Sequence, residues 1–510
     1  MAVGDATVHP LFYCKKISMK NRNNLIQIIF SLILISNFAT AQTAYDALRF
    51  SSTEAGGTAR TMSIGGAIGA LGGDFATVSS NPAGLATFRK SEFTITPGYL
   101  KVNTKSKLTS SYTTNNEILD KGSSFGLSNI GLVISKKPSN KKWSNVNFAV
   151  GTNCIANYKT VQFYDGKSRG SITDKFVEQA NANITDPYFV DLAFDANALI
   201  LDTVQNLYVN DFDKIKNDLL KKNQTISTKG SINDLSFSLA GNYKEKWLLG
   251  VSVGVPILSF TENKTYKETN DGLATPFNSL TFDEYLNTNG VGINLKLGVI
   301  YKLNKMFRFG AALHTPTAYS LQDNYSKKLT YSYLGSTGQN ISSTASSPDG
   351  NYEYHLNTPW KAQGSIGAVF GKSGFISAEV EYLDYSSSNF TFANTDSEKQ
   401  YERDVNNDIT NSYKGAINIK VGAEYAVDIF RIRGGYALYG SPFANSTSGA
   451  RTIISGGIGL RGDVMFLDLG YQYSLNSDGY IPYTTGSSVQ QFVERKFTKS
   501  NIVATIGFKF

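Results

Sequence analysis

The chain has 510 residues, of which 41% are hydrophobic, 12% aromatic and 18% charged, with a formal net charge of +8. With 46 Gly, 12 Pro, 29 Tyr and 31 Phe, it has the composition of a many-stranded β protein and not of a disordered one. Its two cysteines exclude a disulfide framework and a cysteine-based zinc site, and its dispersed basic residues do not form a nucleic-acid surface. The mean hydropathy of −0.21 excludes a helical membrane protein, but not a barrel whose strands are only half apolar.

Lys20 and Arg22 precede the apolar run 25–35, and Ala39-Thr40-Ala41 follows it. A basic region, a short apolar run and an A-x-A site make a secretory signal peptide, too short for the roughly 20 residues of a spanning helix. The reading is export, with residues 1–41 as upstream extension plus signal and the mature chain starting at Gln42. Met19, just before the basic residues, is the alternative start. Of the two cysteines, only Cys154 lies beyond the signal.

Residues 42–90 form a Gly- and Ala-rich segment with almost no charge after Glu54 and Arg60, ending in Asn81-Pro82-Ala83-Gly84. The pairs Gly65-Gly66 and Gly72-Gly73 break any helix, since each interior Gly costs roughly 1 kcal/mol relative to Ala. Ile64, Ile68, Leu71, Phe75 and Val78 make it too apolar to lie in water unpacked. A segment of small residues suits an enclosed space where backbone passes close to other groups, so it reads as a plug. The glycine pairs are candidate hinges, and Asn81-Pro82 a turn that anchors the plug.

From residue 91 to the end, period-two alternation recurs. In 291–303, Val291, Ile293, Leu295, Leu297, Val299, Tyr301 and Leu303 share one face, and Gly292, Asn294, Lys296, Gly298 and Lys302 the other. Strand side chains alternate between faces, so this is a strand with an apolar and a polar side. Residues 417–427, 467–474 and 502–510 repeat the pattern. Weaker versions fall at 91–102, 123–136, 144–157, 231–243, 247–261, 307–319, 352–370, 375–385, 430–439 and 451–462. The total is about fourteen strands, each near or above the ~9–11 residues that a tilted membrane strand needs. Short turns at 138–142, 244–246, 304–305, 371–373, 428–429 and 463–464 alternate with long polar connections at 103–122, 158–230, 262–288, 320–351, 386–412, 440–450 and 476–497. This is the connection pattern of a bacterial outer-membrane barrel. The expected fold is an all-β, transmembrane antiparallel barrel over 91–510 with an N-terminal hatch in its lumen.

Two connections carry local structure. In 158–230, the largest, Thr185-Asp186-Pro187 reads as a cap followed by a helix with Phe189, Leu192, Ala193 and Ala196 inward. In 262–288, Phe277, Phe282 and the leucines Leu280 and Leu286 form an apolar patch that either receives a greasy ligand or packs on the neighbouring loop.

The hatch motif Asn81-Pro82-Ala83, the plug preceding the strands and the strand count resemble the FadL/TodX/OMPP1 family of outer-membrane transporters for hydrophobic compounds. The resemblance covers most of 41–510, and only the hatch motif is specific. It implies a monomeric fourteen-stranded barrel in the outer membrane of a Gram-negative bacterium, surrounded by outer-membrane lipid and blocked by its hatch. Ligand, either long-chain fatty acid or aromatic hydrocarbon, would be captured at the outer loops, enter a hydrophobic lumen and leave sideways near the third strand. There Gly151, Asn153 and Cys154 are the candidates for a break in the wall, the other reading of Asn153 being an ordinary lumen-facing residue. One departure is that the longest loop follows the third strand, whereas the family's capture site is expected on later loops.

No catalytic constellation, metal site or cofactor motif is present, and the chain reads as a non-enzyme. His314 shares a polar phase with Arg308 and points into the lumen; it is either a hydrogen-bonded interior residue or a haem ligand. The remaining polar-phase charges, from Lys296 to Asp468, read as a network holding wall to plug. Arg431 and Arg433 are set apart as candidate partners of a carboxylate head group. The function expected is passive uptake of hydrophobic small molecules, long-chain fatty acids first. A protein-binding barrel of a secretion system, a non-specific porin and a haem receptor stay open as alternatives.

Overall fold

The alternation seen in the sequence becomes the wall. The computed structural model describes residues 43–510 other than 213–216, 393–394, 445, 447–448 and 487–490. The signal segment, Met19 and Cys14 lie outside the described residues. Fourteen antiparallel strands close on themselves, the last pairing with the first from Glu92↔Lys509 to Thr109↔Phe492. In order they are β1 (Glu92–Thr109), β2 (Ile118–Lys136), β3 (Trp143–Asn157, resuming as Thr160–Ser168), β4 (Leu220–Tyr243), β5 (Trp247–Thr269) and β6 (Phe277–Lys302). Next come β7 (Phe307–His314, resuming as Ala318–Leu334), β8 (Gly350–Asn357, resuming as Lys361–Val369), β9 (Gly374–Asp384) and β10 (Gly415–Val427). The wall ends with β11 (Phe430–Tyr439), β12 (Arg451–Arg461), β13 (Met465–Tyr480) and β14 (Phe492–Lys509). The outward phase is apolar and exposed, as at Leu249, Ile293, Leu297, Ile366, Ile419, Ile432, Ile458, Leu469 and Ile502, and meets lipid.

Two features differ from the sequence reading. First, β7 and β8 are each interrupted, at 315–317 and 358–360, which lie opposite one another in the ladder. Pro316 and Pro359 sit in these gaps, where proline has no N–H to give. Second, the outer ends run on: β4, β5 and β6 have 24, 23 and 26 residues, so only 270–276 joins β5 to β6. Most of 262–288 and 320–351 is therefore strand and not loop. The irregular spacing of Phe277 and Leu280 comes from a bulge at Asn278, where Tyr333 pairs Phe277 while Ser332 pairs Ser279. The extra residue flips the phase, and both side chains turn inward.

The hatch fills the lumen. Helix α1 (Ala44–Ser51) is closed at its start by a capping box between Thr43 and Asp46, and α2 (Ala59–Ser63) starts on the Thr58 hydroxyl. Two 3₁₀ turns follow, Phe75–Ser79 and Pro82–Thr87. Phe75, Val78, Leu85 and Phe88 pack with the inward Val133, Ala149, Leu248 and Ile300, and Ile64, Ile68 and Leu71 with Phe375.

Outside the membrane belt, the 158–230 connection builds a cap. Helix α3 (Ile172–Asn181) was not anticipated, although Ser171 and Asp174 have the spacing of a capping box and form one. Helix α4 (Val190–Asp195) begins three residues beyond the expected start, because the Asp186 carboxylate accepts from the Tyr188 N–H at 2.8 Å and holds a turn there. Between β9 and β10, helix α5 (Asp396–Ser412) lays Val405 and Ile409 over a second apolar cluster.

Candidate functional site

The seat of the hatch is cut from glycine. Gly250 and Gly298 face each other across β5 and β6, and Pro82-Ala83 lies directly on them. A Cβ at Gly298 would stand 2.0 Å from Asn81 Oδ1, and one at Gly250 would stand 2.3 Å from the Pro82 carbonyl carbon. Asn81 Nδ2 donates to the carbonyls of Gly69 (2.7 Å) and Val299 (3.3 Å), while its Oδ1 accepts from Ala83 N–H at 3.1 Å. Asn81 thus caps its own turn, ties it to the preceding loop and fixes it to the wall; Gly84 lies against Thr77, where a Cβ would come within 2.7 Å. Gly65, Gly66, Gly72 and Gly73 have φ of 64°, 81°, 74° and 70°, the left-handed region that glycine tolerates best.

Charged side chains of the inward phase bolt the hatch in place. Lys296 and Asp234 pair at 2.8 Å, fully buried, and Asp234 also accepts from Ser79 Oγ at 2.7 Å. Lys420 pairs with Glu379 (3.0 Å) and Glu381 (3.3 Å), and Glu379 takes the Gly69 N–H at 3.0 Å. Arg433 lies between Glu424 (2.6 Å) and Asp468 (2.7 Å), and Arg60 of the hatch reaches the same Glu424 at 3.4 Å. Removing one member of such a pair strands a buried charge, so the groups act as a set.

This geometry decides several expectations. Arg433 is ion-paired on both sides within the network, with its buried Nη2 left without a hydrogen-bond partner. Arg431 donates to the carbonyls of Asp428 and Phe430 at the short turn below the lumen. Arg308 donates to the Leu71 carbonyl at 3.1 Å, and His314 Nε2 to the Ser80 carbonyl at 2.6 Å. Both serve the hatch, and His314 spends on it a nitrogen that haem ligation would use.

Among the described residues, the pairing of the third strand with the second ends part-way up the wall. The β2–β3 ladder runs from Lys136↔Val146 up to Asn129↔Asn153 and stops. Above that point β2 remains paired only to β1, up to Ser106↔Ile118, and β3 only to β4. The gap is stapled shut at its outer end, where Asp120 Oδ2 accepts from Phe163 N–H (2.6 Å) and Asn115 bridges to Lys167. Asn153 closes the lower end, accepting from Asn129 (2.9 Å) and donating to Ser79 of the hatch (2.9 Å). At Cys154 the register slips and the chain swings inward, its carbonyl so close to Gly56 that a Cβ there would lie 1.8 Å away. Gly151 serves the hatch and not the break, since with its partner Gly131 it leaves the slot filled by the Phe75 ring. A crevice leads from the hatch (Glu54, Gly56, Met62) past Ile155 to Ser124, Gly126, Leu127 and Ser128 at the gap.

Over the hatch, in the outer half of the lumen, lies a cavity of about 740 Å³. A hydrophobic lumen was expected; the lining instead interleaves Tyr45, Tyr158, Phe260, Tyr285, Leu286, Tyr480 and Phe497 with six cationic and four acidic side chains. Phe75, Val78, Leu85 and Phe88 of the hatch meet their apolar partners toward the short-turn end, whereas Leu48 and Phe50 of α1 pack with Ile232, Leu258 and Phe260 at the cavity side. Sequence reasoning passed over the charges of the lining; Lys264 and Arg495 fell in presumed loops, and Lys499 between the presumed loop 476–497 and the strand read at 502–510. Leu286 lines this cavity, whereas Phe277, Leu280 and Phe282 are buried with Phe176, Phe189, Leu192 and Tyr331 as the core of the cap. Those three hold the cap together, and the alternative of loop packing is the one the structure has.

The cap is also clamped to the β4–β5 extension, well outside the belt that β4 marks with Phe237 and Leu239. Lys222, fully buried, donates to the carbonyls of Arg169 (3.1 Å) and Gly170 (2.5 Å) and to Tyr483 (3.2 Å). Its cross-strand partner Glu268 accepts from Ile172 N–H (2.9 Å), Tyr266 (2.7 Å) and Ser171. Burial pulls the Lys222 ammonium down to about 8 and pushes the Glu268 carboxyl up.

A family model described as outer membrane protein transport protein (OMPP1/FadL/TodX) matches residues 215–510, more than half of the chain. The chain belongs to the OMPP1/FadL/TodX family. Among solved structures, a FadL homologue of Pseudomonas aeruginosa is 13% identical with a TM-score of 0.53, over 90% of this chain and 99% of that one, which shows a shared fold. The toluene transporter TbuX of Ralstonia pickettii is 15% identical, covering 89% of this chain and 99% of its own, with a TM-score of 0.46. The Pseudomonas putida toluene transporter TodX is 12% identical over the same shares with a TM-score of 0.48. No curated protein matches the chain. Membership makes this an outer-membrane β-barrel with a transport role.

Proposed function

We propose that this protein takes up hydrophobic small molecules passively across the outer membrane, long-chain fatty acids first among them. Ligand enters the 740 Å³ cavity between cap and hatch, skirts the edge of the hatch along the crevice, and leaves through the gap between β2 and β3 into the membrane. The observation that carries this reading is the β2–β3 ladder ending at Asn129↔Asn153, with a crevice running from the hatch to the unpaired edge. Below the cavity the lumen is filled, so straight passage to the periplasm is blocked, and a sideways exit avoids the bolted hatch. Charges among tyrosines suit a molecule with an apolar body and a polar end better than a bare hydrocarbon.

Gly126 provides the test, because it lines the crevice and a Cβ there meets nothing within 4 Å. Gly126→Trp fills the gap without disturbing the fold. Cells relying on this protein should lose uptake of labelled hexadecanoate while the barrel keeps its heat-modifiable migration. Undiminished uptake would rule out the sideways route.

A further inference from the structure

The outward face of the wall changes character at the top of the lipid belt, and it does so unevenly around the barrel. On β14, β1 and β2 the last apolar row is Ile502, Tyr99 and Phe125, paired side by side across the ladder, with Phe125 77% exposed. Above this row the outward positions of β1 are Lys101, Asn103, Lys105 and Lys107. Lys121 of β2 stands opposite Asn103, and Lys496 of β14 opposite Lys105. Across the barrel, on β6 to β8, the outward positions above Val291 are instead Asn289, Asn287, Gln322, Asn324 and Glu353.

The five lysines are short of carboxylates. Lys105 (2.8 Å) and Lys496 (3.3 Å) share Glu117, and Glu494 lies opposite Lys107 in the ladder. Among the described residues, Lys101, Lys107 and Lys121 make no ion pair. Exposed pairs such as those at Glu117 contribute little, so they leave the cations available to an anion.

Their heights select the anion. Successive outward positions are two residues apart, about 6.8 Å along the strand and, at a tilt of about 40°, about 5 Å in height. From Lys101 to Lys107 the cations therefore climb through about 15 Å, within a strip of three strands about 10 Å across. Phospholipid phosphates lie in one plane at the foot of this strip and meet only its lowest rows. Phosphates on the sugars of a glycolipid head group stand at several heights, above acyl chains that reach down onto Tyr99, Phe125 and Ile502.

We propose that the outward face of β14, β1 and β2 binds a phosphorylated glycolipid of the outer leaflet, its phosphates on the lysines and its acyl chains on the apolar row below. The bound glycolipid also braces β2, whose residues above Asn129 have β1 as their partner strand and none on the β3 side. This site lies outside the wall and is independent of what the lumen carries.

Native mass spectrometry of the full barrel in detergent tests this with three added lipids: lipopolysaccharide phosphorylated on lipid A and inner-core sugars, the same molecule after phosphatase treatment, and phosphatidylglycerol. Wild type should retain one copy of the phosphorylated form about a hundredfold more tightly than either of the others. Lys101→Gln/Lys105→Gln/Lys121→Gln should lower that affinity about a hundredfold. Lys137→Gln/Lys141→Gln/Lys142→Gln, which removes the same charge from exposed positions at the short-turn end, should leave it unchanged. Heat-modifiable migration should be kept in both variants. Hydrogen exchange of residues 118–128 should slow severalfold with the phosphorylated glycolipid in wild type and not in the first variant. Equal retention of the three lipids, undiminished binding in the first variant, or equal weakening in both overturns the proposal. Unchanged exchange of 118–128 with the glycolipid bound overturns the brace.

Discussion

Replacing Gly298 by Ala tests whether the Asn-Pro-Ala turn is what holds the hatch down. The added Cβ would lie 2.0 Å from Asn81 Oδ1, 2.9 Å from Pro82 Cδ and 3.0 Å from Ala83 N, so the turn must lift off β6. Lifting breaks the Asn81 bond to the Val299 carbonyl, while its bonds to Gly69 and Ala83 travel with the hatch, so the loss is one hydrogen bond at about 1 kcal/mol net. With 1.4 kcal/mol per factor of ten, the open hatch becomes about fivefold more populated. Hydrogen exchange of residues 69–88 should accelerate by that order while the wall strands stay protected. Gly364→Ala is the control, since a Cβ at that position of β8 meets nothing within 4 Å. Unchanged protection of 69–88 in Gly298→Ala would refute the reasoning, because it would mean that the bolts at Glu379, Asp234 and Arg433 hold the hatch without the turn.

Three further outcomes are expected. Gly72→Ala should lower the thermal midpoint more than Gly73→Ala: both carry the roughly 1–2 kcal/mol cost of a left-handed residue, but only at Gly72 does the new Cβ come within 2.5 Å of the Gly84 carbonyl oxygen. Phe176→Ala removes a fully buried ring packed on Phe189 at 4.6 Å, a loss of about 3–5 kcal/mol confined to the cap; limited proteolysis should cut within 169–219 while heat-modifiable migration of the barrel is kept. Lys222 gives the cap a pH dependence. Its folded value of about 8 lies below the ordinary 10.5, so the undocked cap binds the proton more tightly and docking strengthens as pH rises from 8 to 10.5. The ratio of exchange rates of residues 172–195 between wild type and Lys222→Met, in which intrinsic exchange chemistry cancels, should change across that window, and a flat ratio would contradict the assignment.

The sequence by itself determined the wall. In 291–303 and 417–427, a strand between lipid and lumen must alternate, and that constraint is local enough to read residue by residue. The hatch was legible for a similar reason, as Gly65-Gly66, Gly72-Gly73 and Asn81-Pro82 report backbone conformation at their own positions. Only the tertiary structure decided which partner each inward charge meets. Arg433 faces Glu424 on one neighbouring strand and reaches Asp468 two strands away, a choice made by register, so its neighbours in sequence could not show which carboxylates hold it. The bulge at Asn278 likewise turned Phe277 and Leu280 from a presumed loop patch into cap core. The end of the β2–β3 ladder at Asn129↔Asn153 is an absence of pairing between two strands that each look regular alone. Glu54 and Arg451, far apart in the chain, pair only because the barrel closes around its hatch.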